Sequence, residues 1–531
     1  MNVDRNLSCG RPAKRYTRDG ASDYQLSVLH MEVSRTDRVP DTIRCSLHPV
    51  GRGISVGHEW ARTQDARERP IRYPLHSYLV VLQLVLAVAI GFIAAAFGWL
   101  SIGVLSAQST LSNESSPTRS EAGAESSAAG EVSTINVWTH EGANTPAFAV
   151  LKTAAEAFNR RQGVHKANIV PSIYRYYEER VQSAAATGTL PCVLEIDGPF
   201  VQAFAWRGYL QSIDRFATKQ LLDDLLPTII VQGTYNGRLY TLGQFESGLG
   251  LWGNDLYLTR VGARVPTIEA PWSLMEFEQV LDKLTALKDV EYALDLAVYA
   301  GRSEFYSYAY APILQGFGGD LVRRGTKSSA KGVLDGPESV AAMKRFQHWF
   351  EKGWTRAVFD HADDFEKRRV ALSWTGHWKY PSYRAALGQD LVLLPLPDFG
   401  HGIKTGMGSW SWGISSTCRD AAGAWAFLDH LMSTREIARI TNANGAVPAR
   451  QSVIARSALY GDAGPLRTFA QQLNAGLGVP RPATPGYSTI SRSFAAAVSE
   501  IIAGKDVQTA LTEAARGIDA EIDRNRGYPA E

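Results

Sequence analysis

The stretch GTYNGRLYTLGQFESGLGLWGND, residues Gly233–Asp255, decides how the rest of the chain is interpreted. Asn236-Gly237 is a turn signal between two short β-type runs, and it predicts a tight hairpin. Glu246 then stands alone among small residues, and the apolar run Leu249–Trp252 leads into a helical segment. A lone carboxylate between strand-like runs and beside glycines is typical of a chain that passes from one lobe to another across a ligand cleft. On these residues alone, an ordinary hairpin with a surface loop is the alternative.

Length and composition indicate a multidomain protein without a nucleic-acid partner. The 531 residues exceed one ordinary domain. The 55 Lys and Arg residues nearly balance the 53 Asp and Glu residues, so no basic field favours nucleic acid. The 13 Trp and 21 Tyr residues are more than a core needs, and their flat faces suit sugar rings.

The N-terminal quarter contains one long apolar segment. Residues 1–74 are rich in Arg, Asp, Ser and Pro and show no apolar period, which predicts a poorly structured cytoplasmic extension. Residues 75–106 are predicted to form a transmembrane anchor, because Leu79–Leu105 is long enough to span a bilayer. This run is longer than the apolar part of a secretory signal, so an uncleaved anchor is favoured over a cleaved signal.

The charges around this segment predict its orientation. Arginines precede it and glutamates follow it, which places the N-terminus in the cytoplasm. We therefore expect a single-pass protein of the cytoplasmic membrane, with everything after the span on the extracytoplasmic side. Residues 107–133 are rich in Ser, Ala and Glu and are predicted to be a flexible linker.

Strands alternate with helices from residue 134 onward. A strand at Ile135–Trp138 is followed by a polar turn containing His140 and Glu141, and then by a helix at Ala147–Arg161. A second unit of this kind places Asp197 at the end of its strand. The pattern predicts an α/β fold with a mainly parallel sheet, in which ligands lie beyond the carboxyl ends of the strands. The alternative is that these polar residues only cap helices.

The order of several motifs resembles that of a known family, the extracellular solute-binding proteins of ABC-type sugar importers, which includes maltose-binding protein. The resemblance covers Ile135 to Ile522. Its motifs are INVWTHEG, ATGTLPCVLEIDGPFVQAFAWRGYLQSID, YNGRLYTLGQFESGLGLWGNDLY, PWSLMEFEQVLDKL, GFGGDLV, ALSWTGHWKY, LPLPDFG, GMGSWSWGIS, AWAFLDHLMS, NGAVPAR and RPATPGYSTISRSFAAAV. This chain departs from the family at Cys192, where Asp is usual, and in its N-terminal extension.

The resemblance implies a two-lobed periplasmic-binding-protein type II fold with a hinge. Lobe one would comprise residues 134–245 and 412–447, and lobe two residues 246–411 and 448–531. Glu246 would then lie at the first crossing between the lobes. The implied function is to bind a sugar or oligosaccharide and deliver it to the permease subunits of an ABC importer.

The family's cleft positions are a set of carboxylates, aromatic side chains and one histidine. In this sequence they fall on His140, Glu141, Asp197, Glu246, Glu304, Tyr306, Trp378, Trp410 and Tyr487. Carboxylates accept hydrogen bonds from sugar hydroxyls, and aromatic rings stack on sugar faces. Each aromatic ring could instead belong to the core.

Three of these positions carry more detailed expectations. Tyr306 and Tyr308 follow Glu304 at alternate positions, which is consistent with one face of a short element. Trp378 follows Gly376 in a loop that could approach a ligand closely. Glu246 and Trp378 are both expected to face an open, wet cleft.

Catalysis finds little support in the sequence. HEGAN lacks the second histidine of a zinc-protease motif, GFGGDL completes no phosphate loop, and no nucleophile elbow occurs. We therefore predict no catalytic residue, no metal and no cofactor. Paired acids such as Asp197 and Glu246 leave a glycoside hydrolase open as an alternative. A ligand-sensing partner of a membrane receptor is a further alternative, because its cleft would look the same.

The two cysteines of the extracytoplasmic part, Cys192 and Cys418, are far apart in sequence. Oxidation is possible outside the cell, but nothing in the sequence places the two side chains together. We expect free thiols.

Overall fold

A computed structural model of the chain describes residues 132–172, 177–325, 328–357 and 362–529, together with four short strands near the N-terminus. The chain divides into two compact units, Met1–Gly123 and Ala124–Glu531. The predicted anchor at Leu79–Leu105 lies outside the described residues. Among the residues that are described, no helix is both long and apolar enough to cross a membrane.

In the first unit, the described strands form two antiparallel pairs, β1 with β2 and β3 with β4. These strands are β1 (Ala13–Lys14), β2 (Tyr24–Gln25), β3 (Leu29–Glu32) and β4 (Arg44–Leu47).

The second unit alternates strands and helices throughout. Its strands are β5 (Ser133–Trp138), β6 (His165–Val170), β7 (Val193–Asp197), β8 (Thr234–Tyr235), β9 (Arg238–Leu239), β10 (Thr241–Leu242), β11 (Phe245–Glu246), β12 (Leu249–Asn254), β13 (Tyr292–Asp295), β14 (Val370–Gly376), β15 (Leu391–Leu394), β16 (Thr405–Met407), β17 (Trp410–Ile414), β18 (Val447–Pro448) and β19 (Gly478–Pro480). Its α-helices are α1 (Pro146–Arg161), α2 (Tyr177–Thr187), α3 (Val201–Trp206), α4 (Lys219–Asp224), α5 (Pro227–Gly233), α6 (Asp255–Arg260), α7 (Leu274–Thr285), α8 (Glu304–Gly316), α9 (Pro337–Glu351), α10 (Tyr380–Leu387), α11 (Ala421–Leu431), α12 (Thr434–Asn444), α13 (Gln451–Ile454), α14 (Arg467–Asn474), α15 (Tyr487–Ile502) and α16 (Val507–Arg524). Single turns of 3₁₀ helix lie at Gly198–Phe200, Val298–Ala300, His377–Lys379 and Gly388–Asp390.

Local signals predicted the first elements correctly. Helix α1 is capped by Thr145, whose hydroxyl accepts a hydrogen bond from the Phe148 amide, and Pro146 is its first residue. The predicted hairpin is confirmed, because β8 and β9 pair antiparallel. Its turn residues Asn236 and Gly237 have φ values of 48° and 73°, the left-handed conformation that such a two-residue turn requires.

The fold is α/β, but its two main sheets are mixed, so the expectation of a mainly parallel sheet is wrong. The first sheet has the order β10-β17-β7-β5-β6, with β5 parallel to both β6 and β7 and the β17 pairs antiparallel. The second has the order β13-β14-β12-β15, in which only β13 and β14 are parallel. The chain passes from the first sheet to the second before β12 and returns to the first sheet before β17. Each of these two strands is antiparallel to its neighbours in the sheet that it joins.

We call the part built on the first sheet lobe one and the part built on the second sheet lobe two. The core of lobe one includes Ile135, Val193 and Phe427, which are fully buried. Leu294 and Phe346 are fully buried in lobe two. The lobe boundaries given above stay a prediction.

Three chain segments between the lobes lie side by side and form the hinge. Strand β11 pairs antiparallel with β18, with Glu246 opposite Val447. Gly248 forms a bridge with Met407 at the end of β16. The segment around Glu246 is therefore held by both of the other segments.

Cys192 and Cys418 form a disulfide, so the expectation of free thiols is wrong. Cys192 immediately precedes β7, and Cys418 follows β17 by a few residues. Because β7 and β17 pair antiparallel, with Val193 opposite Ile414, the end of one strand lies beside the start of the other. The bond joins residues 226 positions apart, a proximity that only the assembled sheet creates.

Candidate ligand-binding site between the lobes

A buried arginine connects the two lobes. Arg481 lies between β19 and α15, and only 8% of its surface is exposed. Its Nη1 and Nη2 donate to the two carboxylate oxygens of Asp197, at 3.0 and 2.8 Å, at the end of β7 in lobe one. The same Nη1 donates to Oε1 of Glu304 at 2.6 Å, at the start of α8 in lobe two. Tyr487 completes the group, because its hydroxyl donates to the same Glu304 oxygen at 2.6 Å.

The residues after Glu304 form helix α8, so Tyr306 and Tyr308 do not share a face. Alternate positions share a face in a strand, whereas in a helix residues four apart do. Tyr308 therefore lies on the side of Glu304, with its ring centroid 5.0 Å from the guanidinium carbon of Arg481. Tyr306 is buried in the core of lobe two, and its hydroxyl donates to the carbonyl of Val298 at 2.8 Å.

Trp378 is the large exposed aromatic residue beside this group. It is 39% exposed, and its ring centroid lies 6.0 Å from that of Tyr308 and 6.4 Å from that of Phe305. Gly376 makes this position possible, because a Cβ there would overlap the Trp378 indole. Trp378 thus offers an accessible ring next to the Arg481 cluster.

His140 and Trp410 form a stacked pair at the edge of the first sheet. Their rings are parallel within 3°, with centroids 3.9 Å apart. Nδ1 of His140 lies 2.7 Å from Oε2 of Glu195. Burial opposes protonation of His140, but the Glu195 carboxylate outweighs this effect and raises the pKa of the imidazole. Trp410 lies opposite Asp197 in the pairing of β17 with β7, so the stacked His140 and Trp410 rings are next to the Arg481 cluster.

Glu141 has a partly structural position. Its Oε2 accepts a hydrogen bond at 2.7 Å from the hydroxyl of Thr145, the residue that caps helix α1. Its Oε1 lies 3.6 Å from Nε2 of His140. Glu141 therefore supports both the helix start and the histidine.

Glu246 lies inside the hinge and is 0% exposed, so the expectation that it faces an open cleft is wrong. Its Oε1 accepts hydrogen bonds from the amides of Ser247, at 3.0 Å, and Gly408, at 2.7 Å. The Ser247 hydroxyl donates to the carbonyl of Gly408 at 2.6 Å. Burial raises the pKa of Glu246. The carboxylate thus ties the first crossing segment to the second, and a direct role in ligand binding stays a prediction.

Sequence reasoning missed Arg481, Glu195 and Glu178. Arg481 begins the quoted stretch RPATPGY, yet nothing in that stretch shows that its partner is Asp197, 284 positions away. Glu178 lies in the first turn of α2 and acts electrostatically on Asp197 and Glu304 across the lobes. Burial and these like charges raise the pKa of Glu178 well above its usual range. Among the described residues its carboxylate has no hydrogen-bond partner.

The site combines hydrogen-bond acceptors with an accessible ring. Oε2 of Glu304 accepts no hydrogen bond from the described residues, and burial, opposed by Arg481, raises the pKa of Glu304 to about 7. Within the described residues, no group of three or more His, Cys, Asp or Glu side chains could hold a metal ion. This arrangement suits a ligand that carries hydroxyl donors around an apolar face.

His377 is a buried histidine that makes the stability of the protein depend on pH. It follows β14 directly, is buried, and its Nδ1 lies 2.9 Å from the carbonyl of Asn444, at the end of α12. Burial lowers the pKa of this imidazole to about 4, from an ordinary value of 6.5. The unfolded chain therefore binds a proton between pH 6.5 and about 4 that the folded chain does not bind, and stability is lost as the pH falls through this window.

We predict that about 3 kcal/mol of the free energy of unfolding is lost across this window through His377, at about 1.4 kcal/mol for each unit of pKa shift. Thermal melts of the protein and of His377→Asn at pH 7.5, 6, 5 and 4 measure it. The variant should melt lower at pH 7.5, but its melting temperature should fall less steeply below pH 6.5. Equal slopes for both proteins would contradict this assignment.

Two α/β lobes, joined by three crossing segments and bridged by Arg481, define a hinged two-lobed binding protein of the periplasmic-binding-protein type. Solved structures have the same fold. The acarbose-binding GacH receptor of Streptomyces glaucescens is 20% identical, with a TM-score of 0.64 over 75% of this chain and 100% of that chain. The maltotriose-binding protein of Thermus thermophilus is 20% identical, with a TM-score of 0.61 over 73% of this chain and 100% of that chain.

The sequence comparison places the chain in a family. The family model for bacterial extracellular solute-binding proteins matches residues 153–465, more than half of the chain, and the chain belongs to this family. A maltotriose-binding protein of Pyrococcus abyssi is 24% identical over 273 residues, which are 49% of this chain and 54% of that protein. The chain thus spans about half the length of this curated relative.

Proposed function

We propose that the protein is the extracytoplasmic binding component of an ABC importer and that it binds a sugar or oligosaccharide between its two lobes. The observation that carries this proposal is the group of Asp197, Glu304 and Tyr487 around Arg481, with the accessible ring of Trp378 beside it. A relative named for binding maltotriose and a receptor solved in complex with acarbose support the ligand class. Permease subunits of the importer would receive the ligand.

We infer different roles for the members of the predicted site. Asp197, Glu304, Tyr487 and Trp378 form the central group, and the stacked pair of His140 and Trp410 extends it along lobe one. The remaining members are supporting residues: Glu141 at a helix cap, Glu246 in the hinge and Tyr306 in the core.

A thermal-shift screen of the full chain against mono- and oligosaccharides tests the proposal. A ligand at a hundred times its Kd adds about 2.7 kcal/mol to the free energy of unfolding and should raise the melting temperature by a few degrees. TMAO, an osmolyte that is not a sugar, controls for non-specific effects at the same concentration. If no saccharide shifts the melt of a folded sample, the proposed ligand class is wrong.

The protein binds its ligand without chemical turnover in this account. A glycoside hydrolase needs one carboxyl group that can donate a proton and a second that acts as base or nucleophile. Here both oxygens of Asp197 are bound by the Arg481 guanidinium, so this carboxylate is not free to act as the base or nucleophile that Glu304 would need as its partner. Incubation with the best-binding oligosaccharide and analysis of the products should show no hydrolysis. Sustained hydrolysis that is lost in Glu304→Gln would move the protein to the hydrolase class.

The apolar segment Leu79–Leu105 would keep the binding part at the membrane. Its length and the surrounding charges support an uncleaved anchor with the lobes on the extracytoplasmic side. The mass of the membrane-purified protein tests this: it should include the N-terminal residues, and a mature chain that starts near Gln108 would indicate a cleaved signal instead.

A further inference from the structure

Arg481 links Asp197 to Glu304. Among the described residues, it is the one side chain that donates hydrogen bonds to both carboxylates. Both oxygens of Asp197 are bound by the guanidinium, while Glu304 uses only Oε1 for Arg481 and Tyr487. Oε2 of Glu304 therefore accepts no hydrogen bond from Arg481 or Tyr487 and can accept one from a ligand, while the ion pair through Oε1 holds the carboxylate in place. The pair is bidentate on the lobe-one side, a geometry that fixes both partners.

We propose that Arg481 is a positioning residue that couples lobe closure to the alignment of the acceptor carboxylates. When the lobes close, the guanidinium engages Asp197 of lobe one and Glu304 of lobe two together, and Oε2 of Glu304 is held in place for a ligand hydroxyl. The ligand half of this proposal rests on the proposed function, and the closure half does not.

The surroundings of Arg481 explain why the link should be strong. The guanidinium is almost fully buried and stands over the ring of Tyr308, whose hydroxyl donates to Ser247 in the hinge at 3.0 Å. Opening the lobes would leave the guanidinium with Glu304 but take Asp197 away from it, and the Asp197 carboxylate would lose its partner in a partly dehydrated site, which is costly. This contact between the lobes is therefore favoured even before a ligand binds.

Four titratable side chains face Glu304. Arg481 precedes α15, Tyr487 begins α15, Asp197 ends β7, and Glu178 lies in the first turn of α2. Arg481 lowers the pKa of Glu304, whereas burial and Asp197 raise it, and the result is about 7. Removing the guanidinium leaves the Tyr487 hydrogen bond to oppose the raising effects, so Glu304 would lose its proton only at a higher pH.

Hydrogen exchange on the ligand-free full chain tests the closure half. In Arg481→Met, the amides of residues 195–199 and 478–482 should exchange about ten to a hundred times faster, because the interlobe link is lost. Arg345→Met is the matched control, since Arg345 makes a bidentate pair with Glu278 entirely within lobe two. The control should leave exchange in these two segments unchanged. Equal exchange in the wild-type protein and Arg481→Met would overturn the proposal.

The pH dependence of affinity tests the ligand half. Affinity for the best-binding saccharide should fall as the pH drops through about 7, where Glu304 takes up a proton. In Arg481→Met the midpoint of this fall should move to higher pH, and Arg481→Lys should move it back. A role in stability alone would lower the melting temperature without moving the midpoint, and that result would overturn the proposal.

The closure half of the proposal can still be tested if the variant does not fold or if no saccharide binds. If Arg481→Met does not fold, Asp197→Asn removes the link from the other lobe and should speed exchange in the same segments. If no saccharide binds the wild-type protein, the proposed function fails, while hydrogen exchange still decides whether Arg481 holds the lobes together.

Discussion

Trp378→Ala should weaken saccharide binding roughly 30- to 1,000-fold while leaving the melting temperature of the free protein nearly unchanged. The expected loss of about 2–4 kcal/mol combines the apolar area of the ring with its attraction for a sugar face. Stability should change little, because Trp378 is 39% exposed, although its ring lies beside those of Phe305, Tyr308 and His377. Calorimetric titration beside a thermal melt measures both quantities.

Trp374 provides the matched control for this variant. It lies four positions earlier, is 1% exposed, and its indole N–H donates to the carbonyl of Ala309 at 3.0 Å. Trp374→Ala should cost about 3–5 kcal/mol of stability, as expected for a buried aromatic residue. If Trp378→Ala instead keeps full affinity and melts as low as the Trp374 variant, Trp378 belongs to the core and the site is misplaced.

Removal of the Cys192–Cys418 disulfide should cost about 2–5 kcal/mol of stability and leave saccharide affinity unchanged. The bond closes a loop of 226 residues, and the chain-entropy relation gives about 5 kcal/mol for a loop of this length. Cys192 precedes β7, whereas Asp197 ends it, so the bond lies about 16 Å along the strand from the ligand site. The disulfide therefore stabilises lobe one at the end of the sheet away from the cleft.

Thermal melts with and without reductant measure this effect. The wild-type protein should melt several degrees lower in reductant, and Cys192→Ala/Cys418→Ala should melt at that lower temperature under both conditions. If the double variant has the same melting temperature as the oxidised wild-type protein, the bond contributes nothing to stability. A loss of affinity in the folded variant would show that the bond also shapes the site.

Local sequence signals predicted the elements on which the fold is built. The Asn236-Gly237 turn, the strand before His140 and the helix that starts after Thr145 depend on neighbouring residues, and each is found at the predicted place. The alternation of strands and helices predicted the α/β class, whereas the two lobes were implied by the resemblance of the motif order to a known family. The alternate spacing of Tyr306 and Tyr308 after Glu304 indicated a shared face, but these residues form a helix, in which alternate positions do not share a face.

The contacts that make the site join residues far apart in the chain. Arg481 and Asp197 are 284 positions apart, and Cys192 and Cys418 are 226 apart. No local pattern encodes such pairs, since they depend on how the two lobes and their strands assemble. The burial of Glu246 was unpredictable for the same reason, because Gly408 from a distant crossing segment covers it.

A crystal structure of the protein with the oligosaccharide that raises its melting temperature most would test the central claim directly. We expect a sugar between the two lobes, with one ring against the Trp378 indole and a hydroxyl donating to Oε2 of Glu304. Arg481 should remain bound to Asp197 and Glu304 in that complex. A saccharide bound outside the interlobe site, with Trp378 and Glu304 free of contact, would contradict the account.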